Sequence, residues 1–597
     1  MATFTRAIAG LVVVLFATAS TSNAANAQVA ALFDDYVKWK MTELDPQNGY
    51  LLGFDWFPKP KLNNYSLAHY EGLNKKCEDF KQQVAKNLLL VDITDSEKKY
   101  LELMRYEVDT CLSGHKHKGY LLAPVMSRRG VQGSLTSFFA DELKYESIDD
   151  YEHNLDLMRK IPQQLEEIQE LLVGGVQENI THANESLYRA VDQFDRLQVS
   201  DPTESEFYKQ FEKIKDNLPE VTDEEAARLQ DKARTVIKEH ILPSFKKLQE
   251  YVFGEYYEHL RPEAGVHSLP NGQEYYQACI DYFTSLRGVN ASEIHQIGLE
   301  EIKNLRQQAE KSAFELGMGN LTFTQIAEML RTDDSNKFSN DTEAFDFVKK
   351  QAEVINQELD KIFSEEILQD YVYQFDIKPV PPGRGGYAYY NDPSRDGTRN
   401  GAFFLNPAYL TKTETTALVL HEANPGHHLQ ISTSLNNDDA PLFYTASLYF
   451  YQPSNPGTYI SYAEGWGLYS EYLGHEMGVY DKDKQIFGYY SLNLLRAGRL
   501  VVDTGMHSLG WSRQEAVDYL MENTFANEAN IGNQVDRYVG WPGQALAYKM
   551  GERTIQSVRK SLEKQRGEDF QVKNFHDGVL NCQGPLNYLE ECVADYV

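Results

Sequence analysis

The chain has 597 residues, with 58 Lys and Arg against 88 Asp and Glu, for a formal charge of −30. That surplus of negative charge speaks against nucleic acid or an anionic membrane as partner and fits an acidic, solvated surface. The length can bury a large core in one large or two medium domains, and the five cysteines form no C-x-x-C, so thiolate zinc sites and thioredoxin-like chemistry have no support.

Arg6, the apolar run Ala7–Ala19 and the small-x-small triplet Ala25-Asn26-Ala27 read as a secretory signal peptide over residues 1–27. The run is too short to span a membrane, which takes about 20 apolar residues, and no later stretch is longer. The expectation is an exported, soluble protein, secreted or held in another secretory lumen, with no membrane insertion. Six N-x-S/T sequons, at Asn64, Asn179, Asn184, Asn290, Asn320 and Asn340, are compatible with glycosylation there. In an oxidising compartment Cys77 can pair with Cys111 and Cys582 with Cys592, leaving Cys279 free, although other pairings stay open.

Residues 28–265 are expected to form a helical scaffold. Ser147 opens a run in which Leu155, Leu157, Met158, Ile161, Leu165, Ile168 and Leu171 fall near helical spacing. Thr222 and Glu225 have capping-box spacing ahead of a helix that reaches Ile241 and stops at Pro243. Leu260–Gly272 concentrates Pro and Gly and marks the boundary to a second domain over 266–597. Ser292 is expected to cap the next helix, with Ile294, Ile297, Leu299 and Ile302 on its buried side. Asp341 or Thr342 begins another helix, ending near Leu368. Pro379–Pro382, Gly383, Gly385 and Gly386 then break the helical period, and Tyr387–Tyr390 and Gly401–Leu405 read as short strands.

Thr411–Gln430, TKTETTALVLHEANPGHHLQ, carries the chemistry. Thr411 and Glu414 have capping-box spacing, and the apolar run Ala417–Leu420 delivers His421 and Glu422 into an interior. Two imidazoles and a carboxylate are what a zinc hydrolase uses: the imidazoles hold the metal and the carboxylate takes the proton from the attacking water. In a regular helix His427 would sit about 120° off the face of His421, and His428 would return to that face roughly 10 Å along the axis. Neither could share an ion with His421 unless the helix breaks. Pro425 provides the break, because its ring collides with the carbonyl of residue 421, and Gly426 allows the turn. His427 is therefore the second ligand expected, with His428 the alternative.

HEANPGHHLQ resembles the H-E-x-x-P-G-H-H-x-Q signature of domain-of-unknown-function family 885, a group of candidate zinc metallopeptidases. LPNGQEYYQACIDYFTS, SEIHQIGLEEI, NDPSRDGTRNGAFFLN, YAEGWGLYSE, RLVVDTGMHSLGWSRQEAVDYL, WPGQALAYKMG and FHDGVLNCQGPL extend the resemblance in order over most of Leu269–Leu586. It implies a mainly α fold with a deep cleft, a small β-sheet beside the zinc helix, and gluzincin-like chemistry on one Zn2+ ion.

Position leaves Glu464 open between a capping partner of Ser461 and a third ligand; the resemblance favours the ligand. Glu471, seven residues on, lies on nearly the same helix face and is placed to orient a ligand histidine. The resemblance also implies that Gly401–Phe404, including Gly401 and Phe403, holds a peptide by main-chain bonds as an edge strand; Arg399 stays open between gripping a substrate carboxylate and a solvated loop charge. For the group that steadies the oxyanion, family matching puts Tyr548 first, His507 second, and Arg537 or Tyr538 after them.

The reading is a secreted zinc peptidase acting on short peptides, with carboxypeptidase action among its options and Glu422 as general base. A binding or receptor-like protein with a non-catalytic zinc site, and a non-haem iron protein built on the same two histidines and carboxylate, are the alternatives.

Overall fold

Local signals account for where many helices begin. In the computed structural model Thr94, Asn290, Thr322 and Ser512 each accept an amide hydrogen from the residue three positions on, and Glu97, Glu293, Gln325 and Glu515 return the bond. Such reciprocal caps satisfy amides that a helix start leaves open, and losing one costs about 1 kcal/mol. The structure describes residues 26–597 apart from 123–124, 127–129, 370–373, 381–387, 447–452, 458, 481–483 and 527. The expected signal peptide, but for its last two residues, and the glycine-rich stretch from 381 lie outside the described residues.

Helices α1 (Leu67–Asn87) and α2 (Asp95–His115) pack side by side and are joined by the Cys77–Cys111 disulfide. A second disulfide, Cys582–Cys592, ties the last two helices, and Cys279 is free and buried, the pairing favoured from the sequence.

Several helix boundaries differ from the expected ones for identifiable reasons. The run after Ser147 is two helices, Ile148–Met158 and Ile161–Glu178, because Pro162 can only sit in a first turn, where no amide hydrogen is needed. The helix Asp223–Val236 does not stop at Pro243. It widens into a π turn, Ile237–Ile241, and that shift of register puts Pro243 in the first turn of the helix Leu242–Phe253. Asn290, not Ser292, caps α3 (Ala291–Glu315), and Leu299 is left 37% exposed instead of buried. Asn340 caps Asp341–Asn356, which ends well before Leu368; Ser364 restarts a short helix by accepting from the Ile367 amide.

The one sheet among the described residues has three strands: β1 (Phe375–Pro379), β2 (Ala388–Asn391) and β3 (Gly401–Leu405), in the order β1-β3-β2. β1 runs parallel to β3, with Phe375 opposite Gly401, and β2 runs antiparallel, with Ala388 opposite Leu405. This corrects the expectation for Gly401 and Phe403. β3 is the central strand, both sides of its backbone are taken, and Phe403 is buried, so no peptide can add to it.

β3 leads to the Thr411 cap and α4 (Lys412–Glu422), every residue of which from Thr413 on is buried. Such a helix survives in the interior only if its polar groups are matched. Thr413 meets Asn336, Thr416 meets Gln351, and Glu414 accepts from Thr411 and Ser491. Ala417–Leu420 fill an apolar cluster; truncating Leu420 to Ala would cost about 2–5 kcal/mol. α5 (His427–Leu435) follows, then α6 (Ile460–Met477), α7 (Gln485–His507), α8 (Glu528–Gly540) and α9 (Ala547–Arg566).

α6 and α9 touch backbone to backbone. A Cβ on Gly551 would lie 2.6 Å from Gly465 Cα and 1.9 Å from Ser461 O. α3 packs along α7, and α4 is held between α6 and α7. A buried apolar cluster runs from Tyr36 and Phe245 to Leu500, Leu546 and Tyr548, so both sides of Leu260–Gly272 contribute to it. Among the described residues no helix is long and apolar enough to cross a membrane.

Candidate metal centre

α4 ends at Glu422, the Asn424–Pro425 peptide is cis, and α5 begins at His427. Gly426 is required at the turn, since a Cβ there would lie 1.8 Å from His421 O. Trp466 fastens the turn to α6 by donating from Nε1 to Pro425 O at 2.8 Å. The result is a pair of imidazoles from one short segment, with ring centroids 4.9 Å apart and planes at 87°.

Glu464 of α6 faces both. Its Oε2 lies 3.3 Å from His421 Nε2 and 3.5 Å from His427 Nε2, and one ligand atom from each of the three residues lies within 4.8 Å of the others. Donors bonded at 2.0–2.1 Å to a tetrahedral zinc ion stand about 3.3 Å apart. The three residues fit such an ion and leave its fourth position open. Gly467 sets the approach of α6, because a Cβ there would lie 2.8 Å from His421 Cε1 and Nε2. On the far side of the ring His421 Nδ1 meets Glu471 Oε1 at 2.8 Å, and Arg496 stands 3.6 Å from the same oxygen.

Electrostatics point the same way. Burial works against a charged His421, yet Glu464 and Glu471 hold its imidazole up to about 10. Burial also works against the charge of Glu464, yet His421 and His427 hold that carboxyl well below the usual range. Glu422 is pushed up by burial, with His421 and His427 pulling the other way. Two imidazoles among three carboxylates, two of them buried and Glu464 partly so, form a site that calls for a cation.

Tyr548 stands over this group, its ring centroid 6.5 Å from that of His421. Arg537 Nη2 donates to Tyr548 Oη at 3.0 Å, Gln544 Nε2 donates at 3.4 Å, and the Arg499 guanidinium lies 4.4 Å over the ring. Burial opposes ionisation of the phenol, but Arg537 and Arg499 outweigh burial and Glu464 and lower it from its usual value.

Other expected site residues lie elsewhere or act differently. His428 turns away from the group: it is fully buried, with Nδ1 2.6 Å from Tyr390 Oη. Gly401 serves that contact, since a Cβ on it would lie 1.9 Å from the same hydroxyl. His507 has both nitrogens bound to backbone, accepting from the Val266 amide at 3.1 Å and donating to Tyr538 O at 2.9 Å. It is structural, and the catalytic expectation for it is corrected. Tyr538 is buried behind the site, where its hydroxyl takes the Arg499 Nε hydrogen at 2.7 Å. Arg399 reaches the cleft but donates to Leu51 O at 3.1 Å, and its charge faces the half-buried Asp392. Arg496 and Arg499 were not singled out from sequence, although two arginines three residues apart inside the apolar run Leu494–Val502 are a readable signal.

The group opens into a cleft of about 1470 Å³. β2, the end of α4, α7 and α8 line it, and so do residues of the amino-terminal half such as Tyr65, Tyr70, Phe138 and His182.

Residues 46–593 match a family described as bacterial protein of unknown function, DUF885. Among solved structures, a candidate lipoprotein from Colwellia psychrerythraea has a TM-score of 0.85 at 21% identity, over 96% of this chain and 99% of that one. A candidate lipoprotein of unknown function from Shewanella oneidensis has a TM-score of 0.64 at 18% identity, over the same shares of the two chains. At these identities the likeness is one of fold. A carboxypeptidase from Pyrococcus furiosus aligns over 97% of this chain and 99% of that one with a TM-score of 0.36 and 10% identity, too remote to support an argument. No curated protein matches the sequence.

Proposed function

We propose that this chain, which belongs to the bacterial family DUF885, is a zinc-dependent peptidase whose metal ligands are His421, His427 and Glu464. The observation that carries the reading is the convergence of those three side chains, with Glu422 beside them, in the lining of a cleft. A zinc ion held there would acidify water and polarise a carbonyl.

The protein's own groups supply the rest. Glu422, next in sequence to one ligand, takes the proton from the attacking water and passes it to the leaving amine. Burial, which raises its carboxyl, makes it a stronger base for that transfer. Tyr548 donates to the oxygen on which charge develops. With Arg537 and Gln544 both donating into its oxygen, the phenolic hydrogen is left to point elsewhere. Glu471 fixes the His421 ring by accepting from Nδ1, which leaves Nε2 as the donor to the metal. A cleft lined largely by helices suits extended peptides better than folded proteins. Two disulfides and the leader-like start of the sequence support action in an oxidising compartment outside the cytoplasm.

The test is cleavage of a mixed peptide pool by purified protein. Cleavage is expected to stop with a chelator and return with zinc, and Glu422→Gln is expected to keep the metal and lose turnover. Cleavage indifferent to chelation, or zinc-loaded protein that cleaves nothing, would overturn the reading.

A further inference from the structure

Four arginines come close to the candidate centre, and one of them, Arg496, has a carboxylate beside it, Glu471 at 3.6 Å. Arg399 faces Asp392, Arg537 faces Asp503 and Arg499 faces Glu464 at longer range. What sets Arg499 and Arg537 apart is their hydrogen bonding. Among the described residues neither forms an ion pair with a carboxylate; their partners are the neutral side chains of Tyr538, Gln534, Gln544 and Tyr548. Arg499 is only 4% exposed, and its Nη1 and the Nε of Arg537 are buried without a hydrogen-bond partner. Both residues line the cleft. Buried polar groups in folded proteins are normally matched, so two guanidiniums at a cleft wall, each with one open N–H and no carboxylate in ion-pair contact, are set to receive an anion from outside the chain.

Their position says which anion. Tyr548 has its ring centroid 6.5 Å from that of His421 and 4.4 Å from the guanidinium carbon of Arg499, which puts cation and imidazole less than about 11 Å apart. An extended residue spans about 3.3–3.6 Å, and a metal–oxygen contact at one end and an arginine–carboxylate contact at the other take up most of the remainder. The interval therefore holds at most a single residue between a carbonyl at the centre and a carboxylate at the arginines.

We propose that Arg499 and Arg537 bind the C-terminal carboxylate of the substrate, so that the enzyme removes residues from the C-terminal end of peptides. This rests on the peptidase reading above. The carboxylate accepts from the open N–H groups of the two guanidiniums, charge-assisted bonds that are stronger than neutral ones.

The test offers three blocked tripeptides to the zinc-loaded full chain: one with a free C-terminal carboxylate, the same peptide as its C-terminal amide, and an amide ending in glutamate. The free acid is expected to have a kcat/KM at least about 10-fold above its amide, since charge-assisted hydrogen bonds are lost with the charge. Arg499→Gln and Arg537→Gln should each collapse that ratio toward one, whereas damage to packing alone would lower both rates together. Equal cleavage of acid and amide by the wild type would overturn the proposal whether or not the variants fold. So would a glutamate-ended amide cleaved as fast as the acid, because the arginines would then be reading a side chain. If no peptide is cleaved, the peptidase reading fails separately, and equilibrium titration decides the carboxylate site. N-acetylphenylalanine should bind tighter than its amide, with that preference lost in both variants; equal binding would overturn the proposal.

Discussion

His421 Nδ1 lies 2.8 Å from Glu471 Oε1, on the side of the ring opposite the nitrogen that faces Glu464. Because Glu471 can only accept when ionised, it places the ring hydrogen on Nδ1 and leaves the Nε2 lone pair for a metal. Glu471→Gln keeps the shape and removes the charge. It is expected to weaken zinc binding by about 10-fold or more, read by competition with a chromophoric chelator. Unchanged affinity would mean that the carboxylate is only a packing partner of Arg496.

Tyr548→Phe deletes one oxygen from a side chain whose ring is already packed by Arg499. The expected loss is about 10²–10³-fold in kcat with little change in KM, the signature of a donor that matters in the transition state. Zinc content should stay the same. A rise in KM alone would place Tyr548 in substrate binding instead.

Gly467→Ala puts a methyl group 2.8 Å from His421 Cε1 and Nε2. Either α6 or the ring must move, so the variant should lose zinc affinity together with about 1–3 kcal/mol of stability, the usual range for overpacking. Thermal melts with and without zinc would show it as a smaller stabilisation by the metal.

The role assigned to His507 has a pH signature. Burial holds its imidazole down at about 3, against about 6.5 when unfolded. Between those values the unfolded chain binds the extra proton, so stability is full above pH 6.5 and falls as the pH drops toward 3. His507→Gln should be less stable than wild type at pH 7.5 by about 1–3 kcal/mol, from two lost backbone hydrogen bonds, and the gap should narrow at pH 5. Urea midpoints at the two pH values check this. Its kcat should remain within about twofold, whereas a large loss would return His507 to the chemistry.

Much of the centre was legible in the sequence because it is written in local geometry. Pro425, four residues after His421, obliges the helix to break there, and Glu471 falls two turns after Glu464. The choice between His427 and His428 was harder. It depends on the angle between α4 and α5, which Trp466 and Tyr390 set from distant segments. The place of β3 in the sheet was hidden for a similar reason: its parallel partner is Phe375–Pro379, too short and irregular a run to read as a strand. His507 misled because a buried histidine bound to two backbone groups looks, in sequence, like one beside a substrate. Arg499 and Arg537 acquire meaning only from what they lack nearby, and no spacing rule reports that.

The most direct measurement is the metal content of the purified chain after zinc loading and desalting, for wild type, His427→Ala and Glu464→Ala. One zinc ion per chain in the wild type and strong depletion in both variants is the predicted result. A wild type that retains no zinc, or variants that hold as much as the wild type, would contradict the proposed centre.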